Sequence, residues 1–362
     1  MPLNSYVTLG RSGLRVSPFC LGAMTFGDDM GGGFGATAED SEAIIAHYLE
    51  QGGNFIDTAN MYTHGHSEKI IGDFFHAGKG RRDYAVIATK FFGNLYAGDP
   101  NGGGGSRKAI IAQCEQSLRR LQTDYIDLYY LHLWDRFTPI DETISALHDL
   151  VQSGKVRYLG FSDTPAWKVA QAQVTAQFRG WSPLIALQIE YSLMQRTVEG
   201  DLLPMAQELG LGVLPWSPLK GGALSGKYTR ANGVKMQGLR SAFGGELTDK
   251  QYDIIDAVAK VASETGASSS SVALAWLKAQ PGVTSTIIGA RTMEQLDSNL
   301  KALDLTLTPE QIASLNDASK PTLNFPADFL QMAPSLSHGG ATVNGVPSQQ
   351  LFMHPKDDSA RW

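Results

Sequence analysis

Three short apolar runs early in the chain each end on an ionisable residue. Asn54-Phe55-Ile56-Asp57 closes on an acid, Val86-Ile87-Ala88-Thr89-Lys90 on a lysine, and Leu128-Tyr129-Tyr130-Leu131-His132 on a histidine, with Tyr62 shortly after the acid. Taken singly, each has a bland reading. Asp57 can cap a turn, Lys90 can snorkel to the surface, His132 can be a hydrogen-bonded core histidine and Tyr62 can simply pack. Taken together they form one chemical unit able to handle a proton. A lysine and an aspartate buried at strand ends are costly unless they face each other.

Placing such residues in one spot needs a fold that gathers strand ends. Runs that read as strands recur at Phe19–Met24, Asn54–Asp57, Ala85–Thr89, Ile126–Leu131, Val156–Phe161, Leu184–Ile189, Gly212–Pro215 and Thr284–Ile288. Segments of helical period lie between them, at Glu39–Glu50, Ser67–Phe75, Arg107–Leu121, Glu142–Gln152, Pro165–Gln177 and Val198–Leu209. The strands are mostly apolar on both faces, as a parallel sheet covered by helices requires. Eight strands alternating with helices predict an α/β fold, a (β/α)8 TIM barrel, with polar residues converging at the C-terminal mouth. The competing doubly wound sheet would want a Gly-x-Gly-x-x-Gly turn after its first strand, and the sequence has none there. Val7–Leu9 and Leu14–Val16 around Gly10-Arg11-Ser12-Gly13 read as an N-terminal β-hairpin capping the barrel bottom. Residues 1–320 are expected to form the barrel. Residues 321–362, where the pattern is lost, form a C-terminal extension expected to pack near its mouth. Asn101-Gly102-Gly103-Gly104-Gly105 reads equally as a mobile active-site loop or a solvated linker.

Composition narrows the classes. A chain of 362 residues, 43% hydrophobic, can bury a large core without staples. Cys20 and Cys114 are too few for a disulfide framework and read as buried thiols of a reducing compartment. A formal charge of -6 argues against nucleic acid or an anionic membrane as partner. The N-terminus lacks the pattern of a signal peptide, and no apolar stretch is long enough to span a bilayer, so the expected location is cytoplasmic.

The text around the four polar residues resembles the aldo-keto reductase superfamily. The resemblance runs through Phe55-Ile56-Asp57-Thr58-Ala59-Asn60-Met61-Tyr62 and Ala88-Thr89-Lys90. It continues in order through Gly22-Ala23-Met24-Thr25-Phe26-Gly27, Leu131-His132, Gly160-Phe161-Ser162-Asp163, Gln188-Ile189-Glu190-Tyr191-Ser192, Trp216-Ser217-Pro218-Leu219 and Ile288-Gly289-Ala290-Arg291 with Gln295 and Asn299. It covers the chain from the hairpin to about Leu303.

The resemblance implies hydride transfer between a nicotinamide and a carbonyl carbon. Tyr62 would be the general acid, Lys90 would lower its pKa, Asp57 would hold the lysine, and His132 would orient the substrate oxygen. Ser162, Asp163 and Gln188 would hold the carboxamide, and Trp216 would stack on the nicotinamide. Thr25, Asp57, Ser217, Leu219 and Gly221 would border the cofactor, with Gly289, Arg291, Gln295 and Asn299 at its adenosine end. Many relatives carry Asn where this chain has Asp163, so the role of the acid departs from the pattern. Arg291 can pair with a 2′-phosphate, which favours NADPH over NADH. The substrate wall would comprise Phe26, Tyr62, Phe91, His132 and Trp134. The partner is a small-molecule carbonyl compound: a small aldehyde or ketone, a sugar derivative, or a bulky alicyclic ketone. The choice would be made by the glycine tract, the insert around Lys235–Phe243 and the tail. A monomer is the usual assembly, and homo-oligomers occur.

Two other sets carry chemical patterns. His64-Gly65-His66 has a metal-ligand form but lacks completing ligands, so no metal is expected. Asp57 with Glu190 as a glycosidase pair would leave Lys90, Tyr62 and Arg291 without work. A cofactor-binding regulatory or redox-sensing subunit with slow turnover is the alternative within the same family.

Overall fold

The computed structural model describes residues 2–31, 35–230, 247–355, 357 and 359. The strands are β1 (Val7–Thr8), β2 (Arg15–Val16), β3 (Phe19–Gly22), β4 (Phe55–Asp57), β5 (Val86–Phe91), β6 (Ile126–Leu131), β7 (Val156–Ser162), β8 (Leu184–Glu190), β9 (Gly212–Trp216) and β10 (Thr286–Gly289). β3 to β10 form one eight-stranded parallel sheet in the order β10-β3-β4-β5-β6-β7-β8-β9. A parallel bridge from Val213 to Val283 joins the two ends, with Thr284 N donating to Val213 O at 2.9 Å. The sheet is thereby closed as a (β/α)8 barrel.

Helices α1 (Ala38–Glu50), α2 (His66–His76), α3 (Arg107–Leu121), α4 (Ile140–Gln152), α5 (Ala166–Arg179) and α6 (Leu202–Leu209) cross over between successive strands from β3 to β9. Their starts follow local chemistry. Thr37 and Ser106 cap α1 and α3 by accepting from Asp40 N and Ala109 N, and Gly180 and Gly210 end α5 and α6 in left-handed conformation. The predicted helix Val198–Leu209 is broken. Thr197–Glu199 is a 3-10 turn, and α6 begins only at Leu202, after Gly200.

Period-two alternation sorts the strand side chains into two cores. Cys20, Phe55, Val86, Ala88, Leu128, Tyr130, Ala186, Leu214 and Ile287 fill the barrel interior together with Leu9 and Val16 of the β1–β2 hairpin. Phe19, Leu21, Ile56, Ile87, Phe91, Tyr129, Leu131, Leu159 and Phe161 pack outward against the helices. The hairpin seals the N-terminal end, with Arg11 N bonded to Gly210 O at 2.8 Å. Gly10 makes that approach possible. Its φ is +55°, and a Cβ there would lie 2.3 Å from Ile185 O. Gly10→Ala should therefore cost about 2 kcal/mol or more of stability, read as a lower urea midpoint. The folded fraction should keep its kinetic constants, because the hairpin lies at the far end from the mouth.

The glycine tract is packed rather than a free linker. Gly104 N bonds Phe92 O at 2.9 Å, Gly105 N bonds Asp135 Oδ2 at 2.8 Å, and Thr143 Oγ1 donates to Gly105 O at 2.8 Å. Beyond residue 320 come two short helices, Ala327–Leu330 and Ala333–His338, and a small hairpin pairing Thr342–Val343 with Val346–Pro347. Most of this extension is exposed. Its start lies against the barrel, where a Cβ on Gly200 would lie 3.2 Å from Ala327 Cβ. The insert around Lys235–Phe243 lies outside the described residues.

Candidate active site

Lys90 is the inward-facing residue at the end of β5, between outward-facing Thr89 and Phe91. Thr89 donates to Glu68 of α2 at 2.5 Å, and the Phe91 ring lies 5.0 Å from that of Tyr129. Lys90 is fully buried and Asp57 is 2% exposed. Lys90 Nζ donates to Asp57 Oδ1, to Thr58 O at 2.9 Å and to Tyr62 OH at 3.1 Å. The other carboxylate oxygen of Asp57 accepts from Gln188 Nε2 at 2.9 Å. Each donor position of the ammonium thus has an oxygen, as a buried cation requires.

Tyr62 opens a 3-10 turn, Tyr62–Gly65, just after the β4 loop. Its ring meets His132 edge to face, with centroids 5.7 Å apart. His132 Nδ1 is buried and has no hydrogen-bond partner among the described residues. Asp57, Tyr62, Lys90 and His132 are therefore brought together at the mouth.

Burial dominates the electrostatics. It would lower the pKa of Lys90, but Asp57 and Tyr62 more than reverse this and keep the ammonium charged. Burial raises Asp57, opposed by Lys90 and Gln188. The expected lowering of Tyr62 is corrected. Lys90 does pull the phenol down, yet burial outweighs it and the net direction is upward. His132 is lowered to about 3 by burial and then by Lys90, so its ring is neutral in ordinary buffers.

A second group gathers at the ends of β7 to β9. Ser162 Oγ donates to Asp163 Oδ2 at 3.3 Å, and Trp216 Nε1 donates to Asp163 Oδ1 at 3.1 Å. Asp163 has φ 41° and its N–H bonds Gln188 O. Burial raises its carboxyl to about 6, against those two hydrogen bonds. After β9, Ser217 accepts from Gly221 N, and Ser217, Lys220, Gly221 and Gly222 all have positive φ, folding the loop tightly beyond Leu219. Lys220, which sequence reasoning passed over, pairs with Glu190 at 2.6 Å. At β10, Gln295 Oε1 accepts from Arg291 N at 2.9 Å, Asn299 Nδ2 donates to Gly289 O at 3.0 Å, and Thr25 Oγ1 reaches Ala290 O at 3.4 Å. Gly289 has open space where a Cβ would stand. Polar groups along β7 to β10, the unpartnered His132 nitrogen and the open ground at Gly289 suit a nicotinamide dinucleotide.

The predicted substrate wall is only partly at the mouth. Phe26 and Phe91 are fully buried in the layer beneath the helices, Phe91 because Lys90 takes the inward position beside it. Trp134 is half-buried and meets Trp167 edge to face at 5.6 Å, with Lys168 Nζ 4.7 Å from the Trp167 ring. Trp167 was not anticipated, although an aromatic just past a strand end was the available signal. A cavity of about 750 Å³ runs from Asp163 and Trp216 past Trp167 and Met205 to Asn324. His66 Nδ1 bonds Asp29 Oδ2 at 2.5 Å, and among the described residues no three His, Cys, Asp or Glu gather as metal ligands.

Fold and cluster define a (β/α)8 barrel with a buried Asp57–Lys90–Tyr62 chain at its mouth. A model described as the Aldo/keto reductase family matches residues 18–320. The uncharacterized oxidoreductase YrpG of Bacillus subtilis is 41% identical over 86% of this chain and 95% of its own length. Aryl-alcohol dehydrogenase [NADP(+)] of Phanerodontia chrysosporium is 38% identical over 87% of this chain and 85% of its own. Norsolorinic acid reductase stcV of Emericella nidulans is 37% identical, with coverage of 89% and 83%. The chain belongs to the aldo/keto reductase family. It is an NAD(P)H-dependent oxidoreductase acting on carbonyl and alcohol groups. No helix among the described residues is long and apolar enough to cross a membrane.

Proposed function

We propose that the protein reduces an aromatic aldehyde or ketone with NADPH, and that Tyr62 delivers the proton to the carbonyl oxygen. The observation that carries this is the buried chain from Asp57 through Lys90 Nζ to Tyr62 OH, the last link 3.1 Å long. The nicotinamide supplies the hydride to the carbonyl carbon when bound. Tyr62 gives its phenolic proton to the oxygen as negative charge develops there. Lys90 stabilises the phenolate left behind, and Asp57 holds the lysine. Neutral His132 donates a hydrogen bond to the same oxygen. Ser162, Asp163 and Gln188 hold the carboxamide, and Trp216 forms the stacking surface. Ser217, Leu219 and Gly221 border the pyrophosphate, while Gly289, Gln295 and Asn299 shape the adenosine end. Trp134 and Trp167, packed edge to face, supply an aromatic wall, and the name of the aryl-alcohol enzyme supports an aromatic substrate.

The test is a panel of aromatic, aliphatic and sugar carbonyls assayed with NADPH and with NADH. Aromatic carbonyls should have the highest kcat/KM; a preference for sugar aldehydes would overturn the substrate reading. Arg291 supports NADPH because a guanidinium pairs with a 2′-phosphate. Arg291→Ala should raise Kd for NADPH about ten- to a hundredfold and leave NADH within about twofold. Equal weakening of both dinucleotides would remove that argument.

A further inference from the structure

The acid at Asp163 stands where an amide would serve a carboxamide equally well, and it is bonded to two groups of the proposed nicotinamide site. Its oxygens accept from Ser162 Oγ and from Trp216 Nε1. Both contacts leave Asp163 half-buried, with its carboxylate at the Nε1 edge of the indole. A neutral amide side chain can hold a carboxamide but cannot distinguish the two redox states of the ring it serves. A carboxylate can. Oxidised nicotinamide carries one positive charge and reduced nicotinamide none, so a fixed negative charge nearby binds the two forms unequally. We infer that ionised Asp163 is a positioning residue that makes this protein bind NADP+ selectively over NADPH, drawing the bound equilibrium toward NADP+ and alcohol, the direction of carbonyl reduction. This rests on the cofactor placement proposed above.

The surrounding charges permit the effect. Glu190, at the end of neighbouring β8, is paired with Lys220 at 2.6 Å and adds to the upward push on the Asp163 carboxyl. Lys90 is satisfied by Asp57. Tyr62 stays a neutral phenol, and His132, at the end of β6, is held neutral by burial. Asp201 borders the same cavity further out, and Lys168 lies over Trp167. Asp163 is therefore the acid at this spot without a cationic partner among the described hydrogen bonds and ion pairs. Its carboxyl, raised to about 6 by burial, changes charge within the working pH range. The group is ionised above that value and neutral below it, so the preference for NADP+ should appear as pH rises through 6.

The experiment titrates the apo full chain with NADP+ and with NADPH, following tryptophan fluorescence at pH 5.5 and pH 8. The quantity read is the ratio Kd(NADPH)/Kd(NADP+), in which titration of the shared 2′-phosphate cancels. In the wild type this ratio should rise about tenfold between the two pH values, equivalent to about 1.4 kcal/mol. In Asp163→Asn it should stay at the low-pH value throughout. Asparagine tolerates the left-handed backbone at φ 41°, so the loop should be kept. The wild-type pH comparison stands independently of how the variant folds. A wild-type ratio that does not change with pH, or an Asp163→Asn ratio equal to wild type at pH 8, overturns the inference while leaving the cofactor site intact. Failure of both dinucleotides to bind the wild type overturns the site and the inference together.

Discussion

Tyr62→Phe is expected to lower kcat for carbonyl reduction by about two to four powers of ten while Kd for the dinucleotide stays within about twofold. The substitution removes one oxygen and keeps the ring that meets His132 edge to face at 5.7 Å, so the packing of the mouth is preserved. What is lost is the hydroxyl lying 3.1 Å from Lys90 Nζ. Stopped-flow oxidation of prebound NADPH by an aromatic aldehyde reads the chemical step, and fluorescence titration reads binding. Reduction within tenfold of wild type would reject Tyr62 as the donor. The direction of its pKa adds a second signature. With burial raising the phenol, Tyr62 remains protonated through neutral pH and well into the alkaline range. Reduction should be flat across that range, while alcohol oxidation, which needs the phenolate, should climb with pH. His132, held at about 3, should contribute no inflection near the ordinary histidine value of about 6.5.

Lys90→Met carries the largest expected stability effect. It removes the cation and leaves Asp57, 2% exposed, with Gln188 Nε2 as its remaining described side-chain donor. Breaking a buried pair on one side typically costs about 3–5 kcal/mol. The sign with pH follows from Asp57. Burial already raises its carboxyl, and in the variant Lys90 no longer pulls against it. The folded state then holds the proton more tightly than the unfolded chain does. Stability should fall as pH rises from the unfolded value of about 3.9 through the folded one. Urea unfolding at pH 5 and pH 8 should therefore show a larger deficit at pH 8. Lys90→Met with Asp57→Leu should recover much of it without recovering activity. A single variant as stable as wild type at pH 8 would mean that the pair is not the buried unit described.

Much of this was legible because parallel-barrel strands announce themselves as short apolar runs, and several of them end on a polar residue. Phe55–Asp57, Val86–Phe91 and Ile126–Leu131 fall where the runs stand. The meeting of Asp57 and Lys90 followed from the cost of burying charge, while Tyr62 joined them through its place after β4 and the family resemblance. What stayed hidden depends on phase and on distant partners. The inward position of Lys90 turns Phe91 outward, away from any substrate. The glycine tract looked unattached because its anchor, Asp135, comes from another loop. The bond from Trp216 to Asp163 joins two strand ends that no local pattern links. The sign of the Tyr62 shift needed the degree of burial, which residue types do not carry.

The hairpin plug makes the barrel a vessel open at one end. Beneath Lys90 the interior is filled by Ala88, Val86, Phe55, Leu128, Ala186 and Leu214 down to Leu9 and Val16. The interior also holds the Cys20 thiol and the Tyr130 hydroxyl, the latter buried without a hydrogen-bond partner among the described residues, so no hydrogen-bonded chain is described from the mouth to the hairpin. On the mechanism proposed above, each proton that leaves Tyr62 would be replaced from the mouth, through the same opening that admits substrate and releases alcohol. Reprotonation is thus tied in time to product departure, and a solvent isotope effect on turnover would report the unsealing of the mouth together with the chemistry.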